Sequence, residues 1–232
     1  MALKLYVGNK NYSSWSMRPG VLLREAGIEF EEHVVRFDSF DEGSAFKRTV
    51  GALSPVGKVP VLVDDEVEGG LVVWDTLAIA EYVAEKFPAL QLWPQAVADR
   101  ARARSICAEM HSGFGALRQH FIMNIEASLP EVGQLVLRDQ PQVRRDVTRI
   151  VEMWSELLER HGGPMLFGHF TIADAFYAPV CMRFNTYGVP VPDSVAEYID
   201  NVFALPGVAH WVQAAREEAD FLDFEEPYRL QR

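Results

Sequence analysis

Asp75 and Thr76 are two small polar residues at the predicted start of a helix. The apolar run 71–74 precedes them, and apolar residues spaced as on one helix face follow from Leu77. The unpaired N–H groups of a helix start, the Thr76 hydroxyl and the positive end of the helix dipole together attract a carboxylate. The same residue types also fit a simple N-cap. The pair is therefore a candidate anion site only in combination with further motifs.

A proline stands where an apolar strand is predicted to begin. Pro60 precedes the run 61–63 and has no N–H to donate to a neighbouring strand, so it belongs at a strand entrance or edge. If the Val59-Pro60 peptide bond is cis, the N–H and C=O of Val59 can face outward and pair with an extended peptide. The alternative is an ordinary trans proline at the start of a strand.

The N-terminal segment delivers hydroxyl groups to a second helix start. A strand is predicted over 4–7 and part of a helix over 21–26, and a polar loop joins them. This loop brings Ser13 and Ser14 to the helix N-terminus, with Tyr12 as a competing hydroxyl. Serine also clusters at turns and caps for purely structural reasons. The loop is thus a candidate source of hydrogen-bond donors to an anion.

These motifs together resemble the glutathione-binding half of the cytosolic glutathione transferase superfamily. The match lies in Pro-Val-Gly-Lys-Val-Pro at 55–60 and Asp-Thr-Leu-Ala-Ile-Ala-Glu-Tyr at 75–82. The resemblance implies glutathione as co-substrate, without a metal. The residues that it implies for glutathione binding are Ser13, Lys58, Val59, Pro60, Asp75 and Thr76.

The resemblance also implies separate roles along the ligand. The backbone of Val59, before a cis proline, pairs with the cysteinyl part of glutathione, and Asp75-Thr76 holds the γ-glutamyl group. Family members more often have Glu or Gln at the first position of this pair, so Asp75 has a shorter reach. Lys47 or Arg48 could meet the glycyl carboxylate, and the local motif does not decide between them.

Residues 13–18, Ser-Ser-Trp-Ser-Met-Arg, resemble the Ser-Ser-Cys-Ser-x-Arg signature of the zeta class, whose members isomerise maleylacetoacetate. On this match Ser13 takes the position of the catalytic serine, and Ser14 is the second candidate. A free thiol has a pKa of about 8.5, so a thiolate at neutral pH requires roughly 3 kcal/mol of selective stabilisation. A helix N-terminus contributes about 0.3 to 1 kcal/mol and a hydrogen bond to a charged group about 1.5 to 3 kcal/mol. The hydroxyl should therefore decide activity.

The second substrate is expected between the N-terminal loop and the helix that contains residues 110–117. Apolar residues recur there at three- and four-residue spacing and form either a pocket wall or plain core; they are Met110, Phe114, Leu117 and Phe121. Zeta members have a polar residue where this chain has Gly115, which argues against an isomerase. The residues expected around the pocket are Tyr12, Trp15, Arg18, His111 and Phe114.

Composition narrows the class of protein. The chain has 232 residues, 49% of them hydrophobic, which is enough apolar material for one large or two modest domains. The net charge of -11 disfavours a nucleic-acid partner. No apolar stretch predicts a membrane span and no signal-peptide profile is present, so we expect a cytoplasmic protein. Cys107 and Cys181 are too far apart for a Cys-x-x-Cys redox centre and are expected to be buried in helices.

Two domains are expected. Residues 1–87 predict an α/β thioredoxin-like domain, 88–95 a linker and 96–232 an all-α domain, which is the glutathione transferase architecture. The helices predicted in the second part cover 97–127, 131–161, 172–185, 193–203 and 206–219. Thr171 and Asp174 have the spacing of a capping box, and Asp174 is expected to be buried and structural.

The sequence therefore predicts a cytosolic, serine-type glutathione transferase that conjugates glutathione to small hydrophobic electrophiles. As is usual in that family, a homodimer is expected. Two alternatives stay open. One is a glutathione-dependent cis–trans isomerase of zeta type, and the other is a non-catalytic interaction module with the same fold.

Overall fold

The computed structural model describes residues 3–231 and contains a four-stranded mixed sheet in the order β2-β1-β3-β4. β1 and β2 are parallel, whereas β3 is antiparallel to both β1 and β4. The strands are β1 (Leu3–Val7), β2 (Glu31–Val34), β3 (Val61–Asp64) and β4 (Leu71–Trp74). A parallel pair needs a crossover connection, and the first helix of the chain provides it here.

The helices begin within the sheet domain and then continue without further strands to the end of the described chain. They are α1 (Ser14–Glu25), α2 (Ala45–Leu53), α3 (Thr76–Lys86), α4 (Val97–Ser112), α5 (Gly115–His120), α6 (Pro130–Asp139), α7 (Pro141–His161), α8 (Ile172–Thr186), α9 (Asp193–Ala204) and α10 (Pro206–Glu218). Short 3-10 helices lie at Pro88–Leu90 and Asp223–Glu225. The predicted fold class, an α/β part followed by an all-α part, is confirmed. The exact boundaries at 88–95 stay a prediction.

Alternation along β1 explains how the sheet is covered. Leu3, Leu5 and Val7 are buried, while Lys4 and Tyr6 between them are half-exposed. Because side chains alternate across a strand, the buried set shares one face of the sheet. α1 packs against β1, α3, α8 and α10, so it connects the sheet to the helical part of the molecule. The start of α1 is therefore held from both sides.

The predicted helix over 97–127 is wrong in its length. α4 ends at Ser112, Gly113 has extended backbone, and Phe114 has a positive φ of 53° before α5 begins. A Cβ on residue 113 would lie 2.7 Å from the carbonyl oxygen of Glu109, so this close approach requires glycine. The apolar periodicity continues across the break, which is why the pattern predicts one helix.

The predicted helix over 131–161 is likewise two helices. α6 ends at Asp139, and Pro141 starts α7. Proline has no N–H to donate to the preceding turn and fixes its own φ, so it suits the first position of a helix and not the interior. The proline marks the break.

α8 forms the centre of the helical part. Of its residues only Asn185 is not buried. The capping box between Thr171 and Asp174 is confirmed, and the Asp174 carboxylate also accepts bonds from the N–H of Leu166 (3.1 Å) and the hydroxyl of Tyr198 (3.2 Å). Burial raises the pKa of Asp174 to about 6, although these hydrogen bonds oppose the rise.

The loop after β1 is fixed by the last part of the chain. Asn9 Nδ2 donates to Asp220 Oδ2 (2.6 Å), and the N–H of Lys10 donates to Glu218 Oε2 (2.8 Å). The indole N–H of Trp211 donates to the carbonyl of Lys10 (3.1 Å). The shape of this loop therefore depends on contacts with residues about 200 positions away in the sequence.

The described part of the chain contains neither a helix suited to crossing a membrane nor three metal-ligating side chains grouped together. Cys107 and Cys181 are both buried, as expected, and neither forms a disulfide.

Candidate functional site

Two neighbouring cavities lie where α1, β3 and α3 begin. The larger one, about 470 Å³, is lined by Trp15, Val56, Lys58, Val59, Pro60, Trp74, Asp75, Thr76 and His111. The smaller one, about 300 Å³, is lined by Tyr12, Ser13, Ser14, Trp15, Phe37, Phe40, Phe46, Lys47, Lys58, Val59 and Glu225. Trp15, Lys58 and Val59 line both. The two cavities together bring most of the predicted site residues into one region.

Asp75 is the N-cap of α3 and has an unusual backbone. Its φ is 75°, and its Oδ1 accepts the N–H of Leu77 (2.9 Å). Its Oδ2 lies 3.2 Å from Nε2 of His111 on α4. The adjacent Thr76 is 1% exposed. Asp75 is therefore the N-cap of α3, and it also faces a cavity at the positive end of the helix dipole.

The Val59-Pro60 peptide bond is cis, as the resemblance implies. Pro60 is buried directly before β3, and Val59 is half-buried at the junction of the two cavities. Lys58 is exposed at the same rim. The position before the strand is therefore open to a ligand.

Ser13 and Ser14 lie at the N-terminus of α1 and line the smaller cavity. The Ser13 hydroxyl donates to Ser16 Oγ (2.7 Å), and Ser16 Oγ also accepts the N–H of Gly8 (3.0 Å). Ser14 Oγ accepts a bond from Nη2 of Arg183 (3.0 Å). The two adjacent serines thus have different partners, one neutral and one charged.

Tyr12 lies beside these serines, but its hydroxyl is engaged elsewhere. It donates to Oε1 of Glu226 (2.7 Å), and the side chain is 5% exposed. Burial, together with this bond to a carboxylate, raises the pKa of Tyr12 to about 12. The Tyr12 hydroxyl therefore holds its proton and links the loop to the C-terminal segment.

Trp15 connects the residues predicted around the second substrate. Its ring lies 5.2 Å from the ring of His111 and 4.1 Å from the guanidinium of Arg18, measured between centres. Arg18 is 1% exposed, and its pKa is lowered to about 9 by burial and by repulsion from Arg183 and Arg118. Trp15 and His111 line the larger cavity, whereas Arg18 lines neither.

The predicted apolar wall lies in the core instead. Its members are between 0 and 7% exposed and line neither cavity; they are Met110, Phe114, Leu117 and Phe121. They belong to the same hydrophobic cluster as the centre of α8. The periodic stripe on α4 and α5 therefore packs the helical part together, and Phe114 does not reach the site in this structure.

The two candidates for an anion contact on α2 differ in position. Lys47 lines the smaller cavity together with Lys58, and its Nζ donates to the carbonyl of Gly57 (3.1 Å). Arg48 is exposed and donates to the carbonyl of Gly43. Lys47 is therefore the better candidate.

Sequence reasoning missed an aromatic group and a buried cation at this site. Phe37, Phe40 and Phe46 line the smaller cavity, with ring centres 4.9 to 5.9 Å apart. Arg183 is 4% exposed within α8. A single arginine within the mostly apolar stretch 172–184 is a signal that could have identified it.

Family comparisons agree with this arrangement. Residues 12–86 match the family model described as "Glutathione S-transferase, N-terminal domain", and residues 95–214 match "Glutathione S-transferase, C-terminal domain". The fold is that of a thioredoxin-like domain followed by a helical domain. The chain belongs to the glutathione S-transferase family.

Individual relatives are moderately similar. Glutathione S-transferase 1 of Dianthus caryophyllus is 30% identical over 179 residues, covering 76% of this chain and 75% of the relative. A zeta-class glutathione S-transferase of Euphorbia esula is 28% identical over 190 residues, covering 79% and 78%. A glutathione transferase homologue from Burkholderia GL BGR1, solved with bound glutathione, has a TM-score of 0.67 and 26% identity, covering 94% of this chain and all of that one.

Proposed function

We propose that this protein binds glutathione in the two cavities, activates its thiol and transfers it to a small hydrophobic electrophile. The single observation that carries the proposal is the convergence of two helix N-termini and the backbone of Val59 on one region. Helix N-termini favour anions, and an exposed strand entrance pairs with extended peptides. Glutathione offers both kinds of group, since it is an extended tripeptide with two carboxylates and a thiol.

The γ-glutamyl group would occupy the larger cavity. Its α-carboxylate matches the N-terminus of α3 at Thr76, and its ammonium group matches the Asp75 carboxylate. The cysteinyl backbone would pair with Val59, which directs the thiol toward Ser13 and Ser14 at the start of α1. One of these hydroxyls, together with the helix dipole, stabilises the thiolate.

The remaining groups of the smaller cavity fit the other end of the ligand and the electrophile. Lys47 and Lys58 supply positive charge for the glycyl carboxylate. Phe37, Phe40 and Phe46 supply apolar surface, which favours a flat or aromatic electrophile. The reaction would proceed by attack of the thiolate on the electrophile held beside it, with loss of a leaving group or addition to an activated double bond.

Family membership supports three finer expectations. We infer that the protein acts in the cytoplasm, that it forms a homodimer, and that its reaction serves detoxification. Size-exclusion chromatography with light scattering tests the homodimer directly, because the monomer mass is 26.2 kDa.

The proposal is tested by calorimetric titration with glutathione, with cysteinylglycine as the matched control ligand. Glutathione should bind at least ten-fold more tightly, because cysteinylglycine lacks the γ-glutamyl group. Conjugation is then followed with an aryl chloride. Binding without thiol activation or turnover would favour the non-catalytic module, and absence of binding would refute the proposal.

A glutathione-dependent isomerase is the second candidate. The Ser-Ser-x-Ser-x-Arg pattern at 13–18 and the 28% identical zeta-class relative favour it. Gly115 lies exposed at the start of α5 and supplies no polar side chain. Turnover of a cis-dienone acid, measured beside conjugation of the aryl chloride, distinguishes the two reactions.

A further inference from the structure

Ser14 differs from Ser13 in how its hydroxyl group is bonded. The guanidinium of Arg183 donates to Ser14 Oγ at 3.0 Å. Arginine has only donors, so this bond uses a lone pair of the serine and leaves the hydroxyl proton free. Within residues 3–231, no hydrogen bond donated by the Ser14 hydroxyl is present, and Ser14 lines the smaller cavity.

Ser13 is bonded differently. Its hydroxyl shares a hydrogen bond of 2.7 Å with the hydroxyl of Ser16, which is fully buried and also accepts the N–H of Gly8. The partner of Ser13 is therefore neutral, and within residues 3–231 no cationic side chain donates to its oxygen as Arg183 does to that of Ser14.

Arg183 is held rigidly behind Ser14. It projects from the buried helix α8, is 4% exposed, and its second terminal nitrogen donates to the carbonyl of Phe121. Within the described chain it forms no ion pair with a carboxylate closer than 4 Å, although Glu225 at the cavity wall lowers the local positive potential. Its charge is therefore only partly compensated.

Two further cations strengthen the positive potential at this point. Arg118 repels the charges of both Arg18 and Arg183, and Arg183 repels that of Arg18. The guanidiniums of Arg18 and Arg118 lie over the ring of Trp15, at 4.1 and 5.5 Å from its centre. Burial and repulsion from Arg118 lower the pKa of Arg183 to about 10, so it still carries its charge at neutral pH. The start of α1 therefore faces a cationic layer on its inner side.

We propose that Arg183 is a positioning residue that orients and polarises the Ser14 hydroxyl, and that Ser14 rather than Ser13 donates the hydrogen bond to the glutathione thiolate. A cation bonded to the oxygen of a hydroxyl makes its proton a stronger donor, because adjacent hydrogen bonds polarise one another. This inference rests on the proposed function and assigns the activating group within it.

The test is the pKa of the bound glutathione thiol, measured by ultraviolet absorbance of the thiolate against pH. Ser14→Ala and Arg183→Met should each raise this pKa by about one unit or more, toward the value of free glutathione. Ser13→Ala should leave it nearly unchanged. The double variant should shift it no further than Ser14→Ala alone, because Arg183 acts through the serine.

Three controls separate positioning from structure. Ser14→Thr keeps the hydroxyl and should retain the low thiol pKa. Arg118→Met removes a neighbouring charge without touching Ser14, so an equally large shift in this variant would overturn the positioning role. If Arg183→Met does not fold, Arg183→Lys replaces it and keeps the positive charge. This variant should give an intermediate thiol pKa, because one ammonium group cannot reproduce the guanidinium contacts with both Ser14 and Phe121.

The outcomes distinguish failure of this inference from failure of the proposed function. A shift in Ser13→Ala with none in Ser14→Ala would overturn the inference and leave the transferase intact. A wild-type protein that binds glutathione without lowering the thiol pKa would refute the proposed function itself.

Discussion

His111 Nε2 lies 3.2 Å from Asp75 Oδ2, and this contact joins α4 of the helical part to the N-terminus of α3 in the sheet domain. The other oxygen of Asp75 caps its own helix. Both carboxylate oxygens therefore have partners before any ligand binds. The position of Asp75 depends on a residue from the second half of the architecture, although the two are 36 positions apart in the sequence.

His111→Ala should weaken glutathione binding by up to about five-fold, because Asp75 loses its 3.2 Å contact with the imidazole, and such a partly exposed pair is worth up to about 1 kcal/mol. The catalytic rate constant should change little, since the contact lies at the γ-glutamyl end and not at the thiol. The KM for glutathione and the kcat, measured separately, check this. His111→Gln keeps a donor and is the control, and a fall in kcat at unchanged KM would contradict the assignment.

Asp75→Asn should separate ligand binding from helix capping. Asparagine tolerates a positive φ and accepts the Leu77 N–H, so the free energy of unfolding should stay nearly unchanged. Glutathione affinity should fall about ten- to hundred-fold, because a charge-assisted bond to the ammonium group is lost.

Asp75→Ala is the matched comparison for this position. It should lower affinity similarly and also destabilise the protein by about 1 to 2 kcal/mol, through loss of the cap and the cost of a positive φ. Calorimetric titration and urea unfolding measure the two effects. Equal stability of both variants would show that Asp75 has no capping role.

Tyr12→Phe should leave conjugation within about two-fold of the wild type while lowering the free energy of unfolding by about 1 to 2 kcal/mol. The hydroxyl donates to the buried Glu226 carboxylate, which loses a donor in the variant. Steady-state kinetics and urea unfolding provide the measurements. If Tyr12→Phe instead raises the pKa of the bound thiol, the tyrosine and not a serine is the activating group.

Asp174 predicts a pH dependence of stability. Its pKa is about 6 in the folded protein against an ordinary value of 3.8, so the folded state binds this proton more tightly than the unfolded state. The resulting stabilisation is full below about pH 4 and is lost as pH rises through about 6. It amounts to roughly 3 kcal/mol at about 1.4 kcal/mol per pKa unit.

Asp174→Asn removes this titration and so provides the reference. Urea unfolding of both proteins between about pH 4 and pH 7 should show the wild type losing stability relative to the variant as pH rises. A constant difference across this range would mean that the carboxyl has an ordinary pKa in the folded state.

Local patterns in the sequence are sufficient to predict the strands and helix starts that carry residues lining the two cavities. A proline before an apolar run locates the start of β3, and β4 covers the predicted 71–74. Asp75 was identified at a helix start because small polar residues there satisfy free N–H groups wherever helices begin. The Thr171 and Asp174 capping box is equally local and was confirmed.

The parts that sequence reasoning missed depend on contacts between distant residues. Hydrophobic periodicity continues through Gly113 and Phe114, so it does not reveal that α4 stops there. The pairing of Arg183 with Ser14 joins positions 169 apart, and nothing in either neighbourhood specifies it. Only the packing of α8 against α1 brings the two together.

The hydrogen bonds between the loop after β1 and the residues that follow α10 affect the order in which parts of the molecule fold. Tyr12 and Glu226 are separated by 214 positions, and Asn9 and Asp220 by 211. Contacts of such long range form late, because the ends of a long chain segment must be brought together first. During synthesis the sheet can assemble long before Glu226 has been made. The loop that carries the serines therefore takes its final shape only after Asp220 and Glu226 have been translated.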